Sequence, residues 1–246
     1  MPLSVLIPFR SDDGWRDALL NWTIRWWQVN FPAVEIVVAD TDHELFNRGA
    51  ARNEAARHAT GDVLVIADAD TIPQADAVRA SVELVASGEA PWVIPYDGAP
   101  DGRYYNLSES ATRRRLRFAP DPATPIGEPW DPDDIEFKLV SWAGCLIVPA
   151  EGFWKAGGYP ELELWGYEDD CARTAFDVMV GPHVRVPGFA VHLWHECSNS
   201  DRFDNPGIAG NRAVYDEYRS ARSPQRMAQV IDRHGSKRER RRSEVR

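Results

Sequence analysis

Three short segments hold the residue types that could do chemistry. Asp68-Ala69-Asp70 ends the apolar run Val63-Leu64-Val65-Ile66-Ala67. Carboxylates at i and i+2 of an extended segment point the same way, so they can share one hard cation. Mg²⁺ or Mn²⁺ held there would bind a diphosphate and neutralise a leaving group. The plain alternative is a turn acid or helix cap ahead of Thr71-Ile72-Pro73, but burial of the preceding run places the pair at a ligand-binding edge. Glu168-Asp169-Asp170 follows Leu164-Trp165-Gly166-Tyr167. Acids are favoured at a helix start by the helix dipole. Here they follow an aromatic, glycine-containing turn, a setting that suits a carboxylate acting as general base on a sugar hydroxyl. His192-Leu193-Trp194-His195 is the third segment. In a strand, i and i+3 face opposite sides, so both imidazoles reach one ion only if the strand ends or turns there. As a further ligand to a cation already on Asp70, His195 is compatible with Mn²⁺. The residues alone leave that reading level with an ordinary, satisfied histidine.

The surrounding pattern predicts the elements that would position these groups. Residues 3–9 read as a buried strand, and 15–29 as a helix with apolar positions at Trp15, Leu19, Trp22, Trp26 and Val29. A second strand spans 35–40, a helix 47–59 stopped by Thr60-Gly61, and a third strand 62–70. Strand–helix alternation with short connections means an α/β fold, a mostly parallel central sheet with helices on both faces. In such sheets ligands bind beyond the carboxyl ends of the strands. Three strand ends carry polar groups there: Arg10, Asp40, and Asp68 with Asp70. A helix over 74–87 and a strand over 91–96 follow. Residues 97–136 break the pattern, with Arg113, Arg114, Arg115 and Arg117 ahead of a Pro/Asp-rich stretch. Long irregular segments in compact domains are usually functional, and this one reads as an acceptor-side loop or lid. Strand character returns over 138–149. A short helix over 150–158, a helix over 168–180, strands within 184–194 and a helical region over 207–234 complete the chain.

Composition sets limits. The formal charge of −10 argues against a nucleic-acid binder using a broad basic face. Residues 236–246 hold six Lys/Arg against two Glu and read as a frayed basic tail. The ten tryptophans suit a core and a sugar-binding face equally. Three cysteines, Cys145, Cys171 and Cys197, lack C-x-x-C spacing and are too few for a disulfide framework. Reduced buried thiols are expected. The N-terminus has no signal-peptide pattern, and no run approaches the ~20 apolar residues of a membrane-spanning helix.

Taken in order, the segments resemble the β-1,4-galactosyltransferase family and the polypeptide N-acetylgalactosaminyltransferases, both of GT-A fold. The resemblance runs over residues 3–198. It is carried by Ile7-Pro8-Phe9-Arg10, Phe46-Asn47-Arg48, Asp68-Ala69-Asp70 and the strand around Trp142-Ala143-Gly144. Gly157-Gly158-Tyr159-Pro160, Trp165-Gly166-Tyr167-Glu168-Asp169-Asp170 and His192-x-x-His195 continue it. It implies a Rossmann-like GT-A domain over 1–235: a nucleotide-binding half (1–96), the acceptor-side region (97–136), a metal and acceptor half (137–200) and C-terminal helices (201–235). It also implies site roles. Pro8, Phe9, Arg10, Phe46 and Arg48 would lie against the uridine and diphosphate of a UDP-sugar, with Asp40 at the base or ribose. Asp70, His195 and His192 would ligate Mn²⁺, Mg²⁺ being the other candidate, with Asp68 on the ribose or a metal-bound water. Trp165 would cover the sugars, Glu168 would hold donor hydroxyls, and Asp169 would deprotonate the acceptor.

The implied reaction is inverting transfer of a hexose or N-acetylhexosamine to a glycan, protein or small-molecule hydroxyl. The chain departs from the pattern at Tyr167, where the family has a second glycine. Without an anchor, lectin module or disulfide pair, the expected setting is cytoplasmic, of bacterial or viral origin. Two alternatives remain beside it. A sugar-nucleotide-forming nucleotidyltransferase needs a glycine-rich phosphate loop after the first strand. Here that place is Arg10-Ser11-Asp12-Asp13-Gly14-Trp15-Arg16-Asp17, whose three acids would repel a triphosphate. A non-catalytic carbohydrate- or nucleotide-binding protein on the same fold would tolerate loss of Asp70, Asp169 or His195, yet all three are present.

Overall fold

The structure is a computed structural model that describes residues 2–98, 103–118, 132–139, 141, 143–163, 165–196 and 206–236. Branched apolar runs form the centre. β1 (Leu3–Pro8) pairs in parallel with β2 (Glu35–Ala39) on one side and β3 (Val63–Ala67) on the other. All five residues of β3 are buried, as an uninterrupted apolar run requires. Between β1 and β2, α1 (Trp15–Asn30) buries Leu19, Leu20, Trp22, Thr23, Trp26 and Trp27. Trp26 and Trp27 meet edge to face at 4.9 Å, so much of the tryptophan supply goes to the core. α2 (Arg48–His58) starts at Asn47, whose side chain accepts a hydrogen bond from the Ala50 N–H. Its buried Ala50, Ala51, Ala55 and Ala56 let the helix lie close against β1 and β2.

The main sheet has six strands in the order β2-β1-β3-β8-β5-β9, with β5 at Val93–Ile94, β8 at Cys145–Pro149 and β9 at Val184–Arg185. β8 runs antiparallel to both β3 and β5. The sheet is therefore mixed but mostly parallel, as expected: β8 alone runs against the other five strands. α3 (Ala75–Ala86) packs across β3, β5 and β8.

A second sheet was not legible in the sequence. It has the order β4-β10-β6-β7, formed by Thr71–Pro73, Ala190–His192, Tyr104–Leu107 and Ile135–Leu139. The single strand expected over 138–149 is thus two strands in different sheets. They separate near Gly144, at φ +91°, where a Cβ would come within 2.8 Å of the Tyr104 hydroxyl. β6 and α4 (Glu109–Leu116) lie inside the segment read as irregular. Ser108 caps α4 by accepting from the Ala111 N–H, and Glu109 pairs with Arg113 one turn on.

α5 (Ala150–Lys155) and α6 (Glu168–Met179) follow, and the region expected to be helical at 207–234 is two helices, α7 (Ile208–Ser220) and α8 (Pro224–His234). Ser223 caps α8 and Pro224 opens it, which breaks the run. Among the described residues no helix is long and apolar enough to cross a membrane. Residues 119–131 of the acceptor-side segment, Trp142, Leu164, Cys197 and the tail from 237 onward lie outside the described residues.

Candidate active site

The two sheets meet at the Asp68-Ala69-Asp70 turn. β3 stops at Ala67, and the Asp68 N–H donates to the Gly144 carbonyl at 2.9 Å. The Asp70 carbonyl accepts from the Leu193 N–H at 2.8 Å, and β4 then pairs antiparallel with β10, setting Thr71 opposite His192. Because the segment turns instead of staying extended, the two carboxylates part. Asp68 accepts from Arg52 Nη2 at 2.8 Å. Asp70 faces both histidines, Oδ1 lying 3.6 Å from His192 Nε2 and Oδ2 3.3 Å from His195 Nε2. β10 ends at His192, which lets i and i+3 converge; the two rings stand 5.2 Å apart. The segment is held from outside. Trp194 donates its N–H to Thr112 Oγ1 at 2.9 Å, and its carbonyl accepts from Trp15 Nε1 at 3.1 Å.

The donor set suits a divalent ion. One ligand atom each from Asp70, His192 and His195 lies within 4.8 Å of the others; neighbouring ligands of an octahedral ion bound at about 2.1 Å sit about 3 Å apart. His195 Nδ1 lies 3.0 Å from the Glu196 carbonyl. A proton on Nδ1 satisfies that contact and leaves the Nε2 lone pair facing a carboxylate, an arrangement that needs a proton or a cation between the two. Burial pushes the Asp70 carboxyl up, but the two imidazoles outweigh it and hold the group well below the usual range. Burial lowers His192 against the pull of Asp70, whereas in His195 burial is outweighed by the hydrogen bond it donates to Asp70 and by that carboxylate's charge, which raise it.

The acids of α6 enter from the other side. Gly166 (φ +119°) and Tyr167 (φ +70°) form a left-handed turn, and the Tyr167 ring stacks on Tyr215 of α7 at 5.4 Å. Glu168 is buried, accepts from the Gly166 N–H at 3.1 Å, and lies 3.8 Å from both Arg48 and Arg52. Asp169 stands 2.9 Å from Arg52 Nη1. Its carboxyl is raised to about 7: burial is the largest cause, Glu168 and Asp68 add to it, and Arg52 and Arg48 oppose it.

A cavity of about 120 Å³ opens over the metal-type triad. Pro8, Phe46, Arg48, Asp68 and Trp165 line it beside Asp70 and the two histidines. A second cavity, of about 220 Å³, contains Glu168, Asp169 and Asp170 and shares Trp165 with the first. Three expected donor residues line neither. Phe9 is a core residue. Arg10 and Asp40 hold each other in a two-point pair at 2.7 and 3.1 Å. Arg10 also donates to the carbonyls of Thr41, His43 and Glu44, which shapes the loop leading to Phe46. Three further residues went unnoticed in the sequence: Arg16 and Tyr104, which line the first cavity, and Arg52. Arg52 had a signal, since it lies i+4 from Arg48 and so shares its helix face. Arg16 and Tyr104 had none.

The mixed sheet with a cleft at its strand ends is the arrangement of the GT-A fold. Residues 17–137 match the family model for glycosyl transferase family 2. A structure of S. aureus TarS in complex with UDP-GlcNAc superposes with a TM-score of 0.55 at 11% identity, covering 94% of this chain and 70% of that one. The catalytic domain of Drosophila β1,4-galactosyltransferase 7 with xylobiose gives 0.47 at 14% identity over 91% of this chain and 83% of that one. A mutant of the same fly enzyme holding manganese, UDP-Gal and xylobiose gives 0.42 at 15% identity over 85% and 83%. No curated protein sequence matches the chain.

Proposed function

We propose that this glycosyltransferase moves a hexose or N-acetylhexosamine from a UDP-sugar to an acceptor hydroxyl, with inversion at the anomeric carbon. The observation that carries this reading is the adjacency of two cavities: one gathers Asp70, His192, His195, Arg16 and Arg48, the other Asp169, and Trp165 lies between them. The UDP-GlcNAc named with the TarS structure fits a donor of this class. A divalent ion, Mn²⁺ or Mg²⁺, held by Asp70, His192 and His195 would supply charge neutralisation for the departing diphosphate.

The protein's own groups divide the remaining work. Arg16 and Arg48 present guanidinium charge to the diphosphate. Pro8 and Phe46 wall the nucleoside, Asp68 meets the ribose, and the Arg10–Asp40 pair keeps Phe46 in place. Trp165 covers the donor sugar while Glu168 accepts from its hydroxyls. Asp169 takes the proton of the acceptor hydroxyl as that oxygen attacks the anomeric carbon opposite the diphosphate. The bond to the phosphate oxygen breaks, its electron pair leaves with UDP, and a single displacement inverts the centre. The acceptor is a glycan, a protein side chain or a small molecule.

A donor screen tests this. UDP or GDP release is followed for several UDP- and GDP-sugars, each with Mn²⁺, Mg²⁺ or EDTA, and nucleotide binding is read in the same samples. Slow, metal-dependent release from a UDP-sugar is the expected result. No release together with no metal-linked UDP binding would overturn the reading.

A further inference from the structure

Arg52 is the most deeply buried charged side chain in the described structure, at 1% exposure. It projects from the middle of α2, between the two halves of the site. Its Nη2 donates to Asp68 at 2.8 Å, and its Nη1 stands 2.9 Å from Asp169 and 3.8 Å from Glu168. Its guanidinium carbon lies 4.6 Å from the centre of the Tyr159 ring. Tyr159 is itself fixed by the next residue of α2: Asn53 Nδ2 donates to its carbonyl at 2.8 Å, and Asn53 Oδ1 accepts from its N–H at 2.9 Å. Nε and Nη1 of Arg52 and Oε1 of Glu168 have no hydrogen-bond partner, so Arg52 meets Asp169 as an ion pair and Asp68 as a hydrogen bond. Burying such a cluster contributes little net stability, because desolvation offsets most of the attraction. A fold that needed only packing here would do as well with an apolar side chain.

We propose that Arg52 is a positioning residue that ties the donor-side carboxylate Asp68 to Asp169, fixing the base at a set distance from the donor. The inference rests on the reading of Asp169 as the base. Only a planar, forked cation can face two carboxylates from different elements at once, bonding one and pairing with the other; a lysine ammonium is a single point. The groups facing Asp169 are Arg52 and Arg48 from α2, Glu168 beside it on α6, and Asp68 from the end of β3. Arg52 is therefore also the nearest cation holding Asp169 in its ionised form. Removing it leaves two other acids next to the base.

The test compares wild type, Arg52→Lys, Arg52→Met and Asp169→Asn. Hydrolysis of UDP-GlcNAc and UDP-Gal with Mn²⁺ is followed across pH, alongside UDP affinity, thermal stability and a ¹³C-NMR titration of the aspartate carboxyls. Arg52→Lys retains the charge and is the variant expected to fold. Its kcat should drop by roughly 10²-fold, the scale of a misplaced reacting group, with KM and UDP affinity within about threefold. Its pH limb should stay near that of wild type. Arg52→Met should lose kcat and shift the limb and the Asp169 titration about one unit or more to the alkaline side. Wild-type kcat in Arg52→Lys, with Asp169→Asn inactive, would overturn the proposal alone. Wild-type turnover in Asp169→Asn would overturn the reading on which it rests.

Discussion

Three carboxylates, Asp68, Glu168 and Asp169, share the neighbourhood of the buried Arg52. One guanidinium cannot neutralise them all, so burial and mutual repulsion leave the last proton on Asp169, at about 7. A general base works best with a pKa near the operating pH. The base must be ionised to accept a proton, so kcat for donor turnover should rise with pH along a limb centred near 7 and then level. A stopped assay across pH 5.5 to 8.5, with metal saturating, checks this; a flat profile would remove Asp169 from the role. Asp70 acts on a different observable. Asp70→Ala removes the carboxylate that both histidines face. The expected outcome is loss of Mn²⁺-dependent UDP binding in calorimetry, and Mn²⁺-linked affinity equal to wild type would disprove the triad as a metal site.

The elements matter because each side chain proposed for catalysis stands at the end of one. β3 stops at Ala67, β10 at His192, and α6 starts at Glu168. Gly144 lies between β7 and β8, against the end of β3. Its φ of +91° disfavours any side chain, a Cβ would lie 2.8 Å from the Tyr104 hydroxyl, and its carbonyl accepts from Asp68. Gly144→Ala should therefore cost about 1–3 kcal/mol by urea denaturation and lower turnover as well. A neutral effect on stability would mean that the β7–β8 passage relaxes freely. Tyr167 solves a similar problem differently. It takes a left-handed conformation without being glycine, and its ring rests on Tyr215 of α7, so a helix late in the chain supports the turn that leads into Glu168 and Asp169.

Across the molecule, function and stability pull apart at the same residue. Asp169 has its folded pKa raised above that of an ordinary aspartate, about 4. The stability it contributes is fully present below about pH 4 and is lost as pH rises through about 7. Asn at this position carries no such liability. The melting temperature of Asp169→Asn relative to wild type should accordingly climb between about pH 4 and pH 7 and level above that in scanning fluorimetry. A constant difference would contradict the raised pKa. The C-terminal helices join the same assembly: Asn211 donates to the Glu163 carbonyl at 2.8 Å, and the Ser236 N–H to that of Gly157 at 2.7 Å. Both tie α7 and α8 to turns that flank the acids of α6.

The first half of the fold and the polar ends of its strands are legible in the local order of residues. Residues 3–70 alternate buried apolar runs with amphipathic helices, and such local patterns need no partner to be read. The acids and histidines of the candidate site are legible as well: Asp68 and Asp70 end an apolar strand, the acids of α6 follow an aromatic glycine turn, and the histidines close the last apolar run. Only the tertiary structure decided which of these groups meet. The second sheet is built from strands of three to five residues drawn from distant parts of the chain, too short to carry a period. That sheet sets His192 and His195 on Asp70, whereas Arg10 and Asp40 are spent on each other. Arg52 shows the same limit. Its helix face follows from spacing, but its burial among three carboxylates depends on β3 and α6 arriving beside it, and pairing between distant elements is a property of packing and not of any local pattern.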